Sequence, residues 1–171
     1  MAVDGIGIGR EYDVPFKIGA NLKTTTSQYM AVAMVPGTST AVDWTVEGAS
    51  NSATVGVATS TARHAIGICQ DALSAGSTRC TVRMFGLSKV ICGDSITAGE
   101  WICADWGVSA TIVEGGVVAV DDAVTCSAAT QSITSHVTIL GRALEKGSTN
   151  TVITAFINPQ LYDNNLVAST T

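Results

Sequence analysis

Short apolar runs separated by turn residues dominate the chain from position 29 onward, and no helical periodicity is sustained beyond a turn or two. The candidate strands are residues 29–35, 42–47, 54–59, 64–69, 79–85, 88–92, 101–105, 110–113, 117–120, 137–140 and 151–157. Pro36-Gly37, Glu114-Gly115-Gly116 and Gly147-Ser148 supply turn chemistry, because glycine reaches positive φ without steric cost and proline presets φ. This spacing predicts an all-β fold, a compact β-barrel or β-sandwich.

In residues 79–85, Cys80, Val82 and Met84 share one face while Arg79, Thr81 and Arg83 share the other, the alternation of a half-buried strand. The pattern also repeats. Ile66, Gly67 and Ile68 lead to Ala72-Leu73, then Gly76-Ser77-Thr78 and the run to Phe85; Leu140 and Gly141 lead to Ala143-Leu144, then Gly147-Ser148-Thr149 and a run to Ile157. Each copy reads as strand, turn, strand, a unit too small to bury its apolar face alone. In the second copy Ile153, Ala155 and Ile157 occupy one face, but Val152 and Phe156 make the other apolar too. That strand is either central and covered on both sides by its own domain or part of a subunit interface through Val152 and Phe156.

Residues 1–27 carry glycines at 5, 7, 9 and 19 and little sustained alternation, so they read as an extended N-terminal arm with one apolar anchor at Val14-Pro15-Phe16. Residues 28–159 form the β-domain that holds both copies, and residues 160–171 a C-terminal tail.

Composition narrows the function. Only 13% of residues are charged and 46% are hydrophobic, which excludes a disordered acidic chain; the net charge is −5 with no basic cluster, so nucleic acid is not expected as a direct partner. A surface rich in small residues and hydroxyls is readily buried in an assembly, since desolvating a hydroxyl costs far less than desolvating an unpaired charge. The apolar stretch at 29–35 is too short to span a bilayer, and no membrane association or secretory signal is expected. Five cysteines at 69, 80, 92, 103 and 126, without a C-x-x-C pair, suit reduced thiols in a cytosolic site of synthesis.

No reaction centre emerges. Gly5, Gly7 and Gly9 lack the preceding strand and following helix that a phosphate-binding loop needs. His64, His136 and the dispersed cysteines lack the closely paired spacing of a structural zinc site, and Cys69 and His64 fall on opposite faces of one strand. Asp105, Glu114, Asp121 and Asp122 do not form a calcium loop. The expectation is a protein without a cofactor or metal and without enzymatic activity.

The run from Gly86 to Asp105, a glycine-led strand followed by Ile96-Thr97-Ala98-Gly99-Glu100 and a second apolar strand, resembles the tailed-phage capsid decoration, or cement, proteins. Ala65-Ile66-Gly67-Ile68, Ile139-Leu140-Gly141-Arg142-Ala143-Leu144 and, upstream, Val14-Pro15-Phe16-Lys17 with Gly19-Ala20-Asn21-Leu22 and Gln28-Tyr29 are similar to the flanking motifs of that family. The resemblance spans residues 14–157, with no counterpart for 107–135. It implies a non-enzymatic trimer on the outer surface of the expanded phage head, bound to the major capsid protein, with Val14, Pro15, Phe16, Lys17 and Tyr29 fixing the arm or the capsid contact. The alternative is a head fibre or adhesin module that binds a host glycan, for which Trp44, Trp101 and Trp106 are the candidate platforms.

Overall fold

The computed structural model describes residues 11–18, 28–34, 45–49, 65–104, 115–120 and 136–163. They form strands β1 (Tyr12–Ile18), β2 (Ala31–Met34), β3 (Thr45–Gly48), β4 (Ala65–Cys69), β5 (Arg79–Ile91), β6 (Trp101–Ala104), β7 (Val117–Ala119), β8 (His136–Ala143) and β9 (Val152–Asp163). The fold is all-β, a mixed sheet of these nine strands in the order β1-β3-β2-β4-β5-β9-β8-β6-β7.

The sheet closes on itself twice. β1 pairs parallel with β3 and antiparallel with β5, and β3-β2-β4-β5 completes a five-stranded ring. Alternation turns Phe16, Ile18, Val32, Val46, Cys69, Cys80 and Val82 into its interior. β5 then continues past Gly86 into a second circuit, β5-β9-β8-β6-β7. A parallel bridge between Cys92, just after β5, and Val117 of β7 returns the far edge to its start. Among the described residues, closure reduces the unpaired strand edge that would otherwise invite aggregation.

The two rings are copies of one another. β1, β2, β3, β4 and β5 of the first correspond to the second half of β5, β6, β7, β8 and β9 of the second, and each pairing keeps its sense, including the parallel contact. Val32 faces Gly67 as Ile102 faces Gly141, and Ile68 faces Arg83 as Arg142 faces Phe156. Ile66 and Leu140 are the extra residues of equivalent β-bulges. Both following glycines are required by close packing. A Cβ at Gly67 would lie 2.8 Å from Val82 Cγ1 and run into the Arg83 carbonyl oxygen; at Gly141 it would lie 2.9 Å from the Phe156 carbonyl carbon and run into its oxygen. The repeat read in the sequence as strand, turn, strand is therefore the visible part of a whole-ring duplication, in which β5 serves both copies.

The outer face of the first ring meets the interior of the second largely through small residues. Ala31, Ala33, Ala65 and Ile68, on the outside of β2 and β4, share one buried cluster with Val90, Cys92, Ile102, Val117, Leu140, Ile153 and Ile157. Tyr29 to Ala31 forms the junction. Tyr29 N donates to Cys69 O at 2.8 Å and its carbonyl accepts from Ile91 N at 3.2 Å, while Ala31 N donates to Gly115 O at 2.7 Å. Tyr29 sits at φ 68°, a conformation that costs an ordinary residue roughly 1–2 kcal/mol and is held here by hydrogen bonds to both rings.

Three boundaries differ from the sequence reading. Residues 12–18 of the expected arm are β1, a full member of the first ring, because Phe16 and Ile18 complete its interior; residues 1–10 and 19–27 lie outside the described residues. The candidate strands 79–85 and 88–92 are one strand, with Gly86 at φ 108° passing the chain from ring to ring. β9 runs to Asp163, beyond the boundary placed at 159, and the shift between Ile139–Gln160 and Gly141–Ile157 accommodates Pro159, which has no N–H to donate. The strands expected at 54–59 and 110–113 lie outside the described residues, as do Gly5, Gly7, Gly9, Trp44, His64, Asp105, Trp106, Glu114, Asp121, Asp122 and Cys126.

Candidate functional site: the outer face of the second ring

Inward-facing positions along β5 and β9 are buried, and the residues between them point outward. Across β5, β9, β8 and β6 the registers align Leu87, Phe156, Arg142 and Trp101 in one row. Leu87 is 42% exposed and Trp101 52%, with Phe156 half-buried between them. Phe85 packs edge-on against Phe156 with ring centroids 5.2 Å apart, and exposed Val152 and Leu144 extend the same face.

The duplication supplies an internal comparison. The corresponding row of the first ring is Asp13, Arg83, Ile68 and Ala31. There the Leu87–Phe156 pair is replaced by an ion pair: Arg83 Nε donates to Asp13 Oδ1 at 2.8 Å and Nη2 to Oδ2 at 2.9 Å, and the same guanidinium lies 2.7 Å from Glu11 Oε2. Arg83 also donates to the Leu87 carbonyl, tying the clamp to the start of the second ring. Its hydrogen bonds hold the Asp13 carboxyl below the usual carboxylate range, against a smaller opposing effect of burial. Ile68 and Ala31 are fully buried against the second ring. At these positions the first ring thus carries an ion pair or is covered, and the second presents open apolar and aromatic side chains with Arg142 among them.

Polar groups fix this open face. Arg142 Nε donates to Gly99 O at 2.6 Å and its guanidinium lies 5.6 Å from the Trp101 ring centre, a cation–π contact that holds the indole outward. Gly99 is the third residue of the Thr97 to Glu100 turn, where Glu100 Oε2 accepts from Thr97 N at 2.7 Å. Lys89 Nζ donates to Thr154 Oγ1 at 2.8 Å and lies 3.8 Å from Glu145. Glu145 accepts from Thr154 N at 2.7 Å, which chiefly holds its carboxyl below the ordinary range.

The residues named from the sequence fall in three places. Val152 and Phe156 both lie on the open face, whose other members, Leu87, Arg142 and Trp101, become neighbours only through the register. Phe16 is buried in the first ring and Val14 packs against that core, while Pro15 and Lys17 lie on the outer side of β1. Tyr29 is at the ring junction. Among the described residues no group of three or more His, Cys, Asp or Glu side chains could hold a metal ion.

No protein-family model matches the chain, and no curated protein matches its sequence. Among solved structures the chain is similar to the N base of head fibre gp8.5 of bacteriophage phi29, at 15% identity over 90% of this chain and 99% of that one, with a TM-score of 0.45.

Proposed function

We propose that this protein is a non-enzymatic component of a tailed-phage head, a cement protein that sits as a trimer on the outer surface of the expanded capsid and reinforces contacts between major capsid proteins. The observation that carries the reading is the open row Leu87, Phe156, Arg142 and Trp101, set where the duplicate ring carries an ion pair and covered residues. An apolar patch with a central aromatic and an arginine has the composition of a protein contact. The motif resemblance of residues 14–157 supplies the partner. A clamp that binds only the expanded shell adds its binding free energy to that state, and a trimer multiplies a modest contact through effective concentration.

The test is cryo-EM of expanded capsids lacking the protein, before and after adding the purified chain. The expected result is ordered density at symmetry-related surface sites, with the second ring at the contact. Empty sites at saturating concentration overturn the reading.

One feature favours a second reading, a head fibre or adhesin module that binds glycan. Trp101 is half exposed and its ring is oriented by Arg142, a platform on which a sugar ring can stack. Quenching or a shift of tryptophan fluorescence by host-surface glycans, abolished in Trp101→Ala, is the result expected of it.

A further inference from the structure

Any partner that covers the open row must also cover Arg142, which stands between Phe156 and Trp101 in the register of the second ring. In the free protein its side chain is exposed and water solvates the charge. Nε donates to Gly99 O and the guanidinium lies over the Trp101 ring, contacts that fix its place but leave its charge without a counter-charge. Among the described residues no carboxylate pairs with it. Glu100 is engaged with Thr97 N at 2.7 Å, and Glu145 accepts from Thr154 N at 2.7 Å while lying 3.8 Å from Lys89.

The first ring shows a completed arrangement of the same kind. Arg83 also donates to a backbone carbonyl, that of Leu87, and its other nitrogens meet the carboxylates of Asp13 and Glu11. Arg142 has the carbonyl without the acids.

We infer that the partner segment that docks on this row, which rests on reading the row as the capsid contact, carries an aspartate or glutamate that pairs with Arg142, flanked by apolar side chains that cover Leu87 and Phe156 to one side and Trp101 to the other. The reason is desolvation. Once the row is covered, Arg142 loses its water among aromatic and aliphatic neighbours, and a guanidinium buried without a counter-charge opposes binding strongly. A wholly apolar partner is therefore disfavoured, and a cationic one more so. A carboxylate offsets the loss through charge-assisted hydrogen bonds, which strengthen as water leaves. With Nε held by Gly99 O, the terminal nitrogens remain to take both oxygens of one carboxylate. The contacts to Gly99 and Trp101 hold the group in place beforehand, so little side-chain freedom is lost on docking. Arg142 is in this way a specificity determinant at the centre of a contact whose apolar members discriminate little.

The test compares wild type, Arg142→Leu and Arg142→Gln by co-sedimentation with expanded capsids lacking the protein, at neutral pH and along an acid series, with thermal melts to verify that each variant is folded. Both variants should bind at least about 10-fold more weakly at neutral pH, because each leaves the partner's carboxylate covered and unpaired. The difference from wild type should close as pH falls through about 4, where that carboxyl takes up a proton. Arg142→Leu that binds as tightly as wild type, or more tightly, overturns the inference and leaves the cement reading standing, since a wholly apolar partner gains from the added leucine. Weaker binding whose difference persists unchanged in acid also overturns it, and reduces Arg142 to holding Trp101 in place. Wild type that leaves the capsids empty overturns the cement reading itself, and the inference with it.

Discussion

Substituting Gly141 by alanine tests the duplicated hairpin at its tightest point. An added Cβ would lie 2.9 Å from the Phe156 carbonyl carbon and 3.0 Å from Ile157 Cα, where ordinary carbon–carbon contacts are about 3.5–4.0 Å. The shortfall is at least about 0.5 Å against backbone, which cannot swing aside as a side-chain tip can. β8 must move from β9 where Gly141 faces Ile157 and Arg142 faces Phe156, weakening the ladder at the centre of the second ring. Overpacking of this kind costs about 1–3 kcal/mol and occasionally more, and contact with backbone places Gly141→Ala at about 3 kcal/mol. For a chain of this length that lowers the thermal midpoint by about 6–12 °C. Gly76→Ala is the matched control, since nothing lies within 4 Å of its added Cβ, and it should be neutral or stabilising by up to about 1 kcal/mol. The assay is urea unfolding followed by tryptophan fluorescence, with thermal melts alongside. A Gly141→Ala midpoint equal to that of Gly76→Ala refutes the close approach and, with it, the register that defines the second ring.

Gly67→Ala should destabilise by a comparable or smaller amount in the same assay, because its Cβ would meet Val82 Cγ1 at 2.8 Å and the Arg83 carbonyl carbon at 3.1 Å. Phe16→Ala should cost about 3–5 kcal/mol by denaturant unfolding, since a fully buried aromatic is removed from the first ring; a cost below about 1 kcal/mol would mean that β1 is not integral to it. The Asp13–Arg83 clamp should respond to acid. A carboxyl held low when folded stabilises fully above its unfolded value of about 3.9 and loses that contribution as pH falls through the lower folded value. Asp13→Asn should therefore destabilise by up to about 1 kcal/mol at neutral pH, and the difference from wild type should vanish in acid; an unchanged difference would contradict the assignment. Replacing both Leu87 and Phe156 by serine should abolish capsid occupancy, read by co-sedimentation with expanded capsids, in protein whose strand signal in circular dichroism is retained. Full occupancy by such a variant would move the contact elsewhere.

The local rules written in the residues foretold much of this fold. The alternation of Cys80, Val82 and Met84, the matching phase of Ile153, Ala155 and Ile157, and the glycines at 67 and 141 placed the strands and two hairpins, because side-chain period and backbone sterics act over a few residues. Val152 and Phe156 could be marked as apolar on the wrong side of a core strand for the same reason. The sequence reading left open whether that side is covered, and Val152 at 48% exposure answers that the chain itself leaves it open.

What the residues alone could not decide is non-local. The duplication of entire rings is preserved in pairing more than in residue type: Phe16 corresponds to Val90 and Ile18 to Cys92, which share a direction and a neighbour but little chemistry. Likewise β1 could be read as an arm because nothing within residues 12–18 reveals that β5 and β3 lie on either side of it. The row Leu87, Phe156, Arg142 and Trp101 draws on four strands spread over 70 positions. Within each recognised strand the residues alone show which positions share the inward face, because that choice follows from a two-residue period. Tertiary structure determined which outward faces are covered and which remain open, because that depends on hydrogen-bond register between strands distant along the chain.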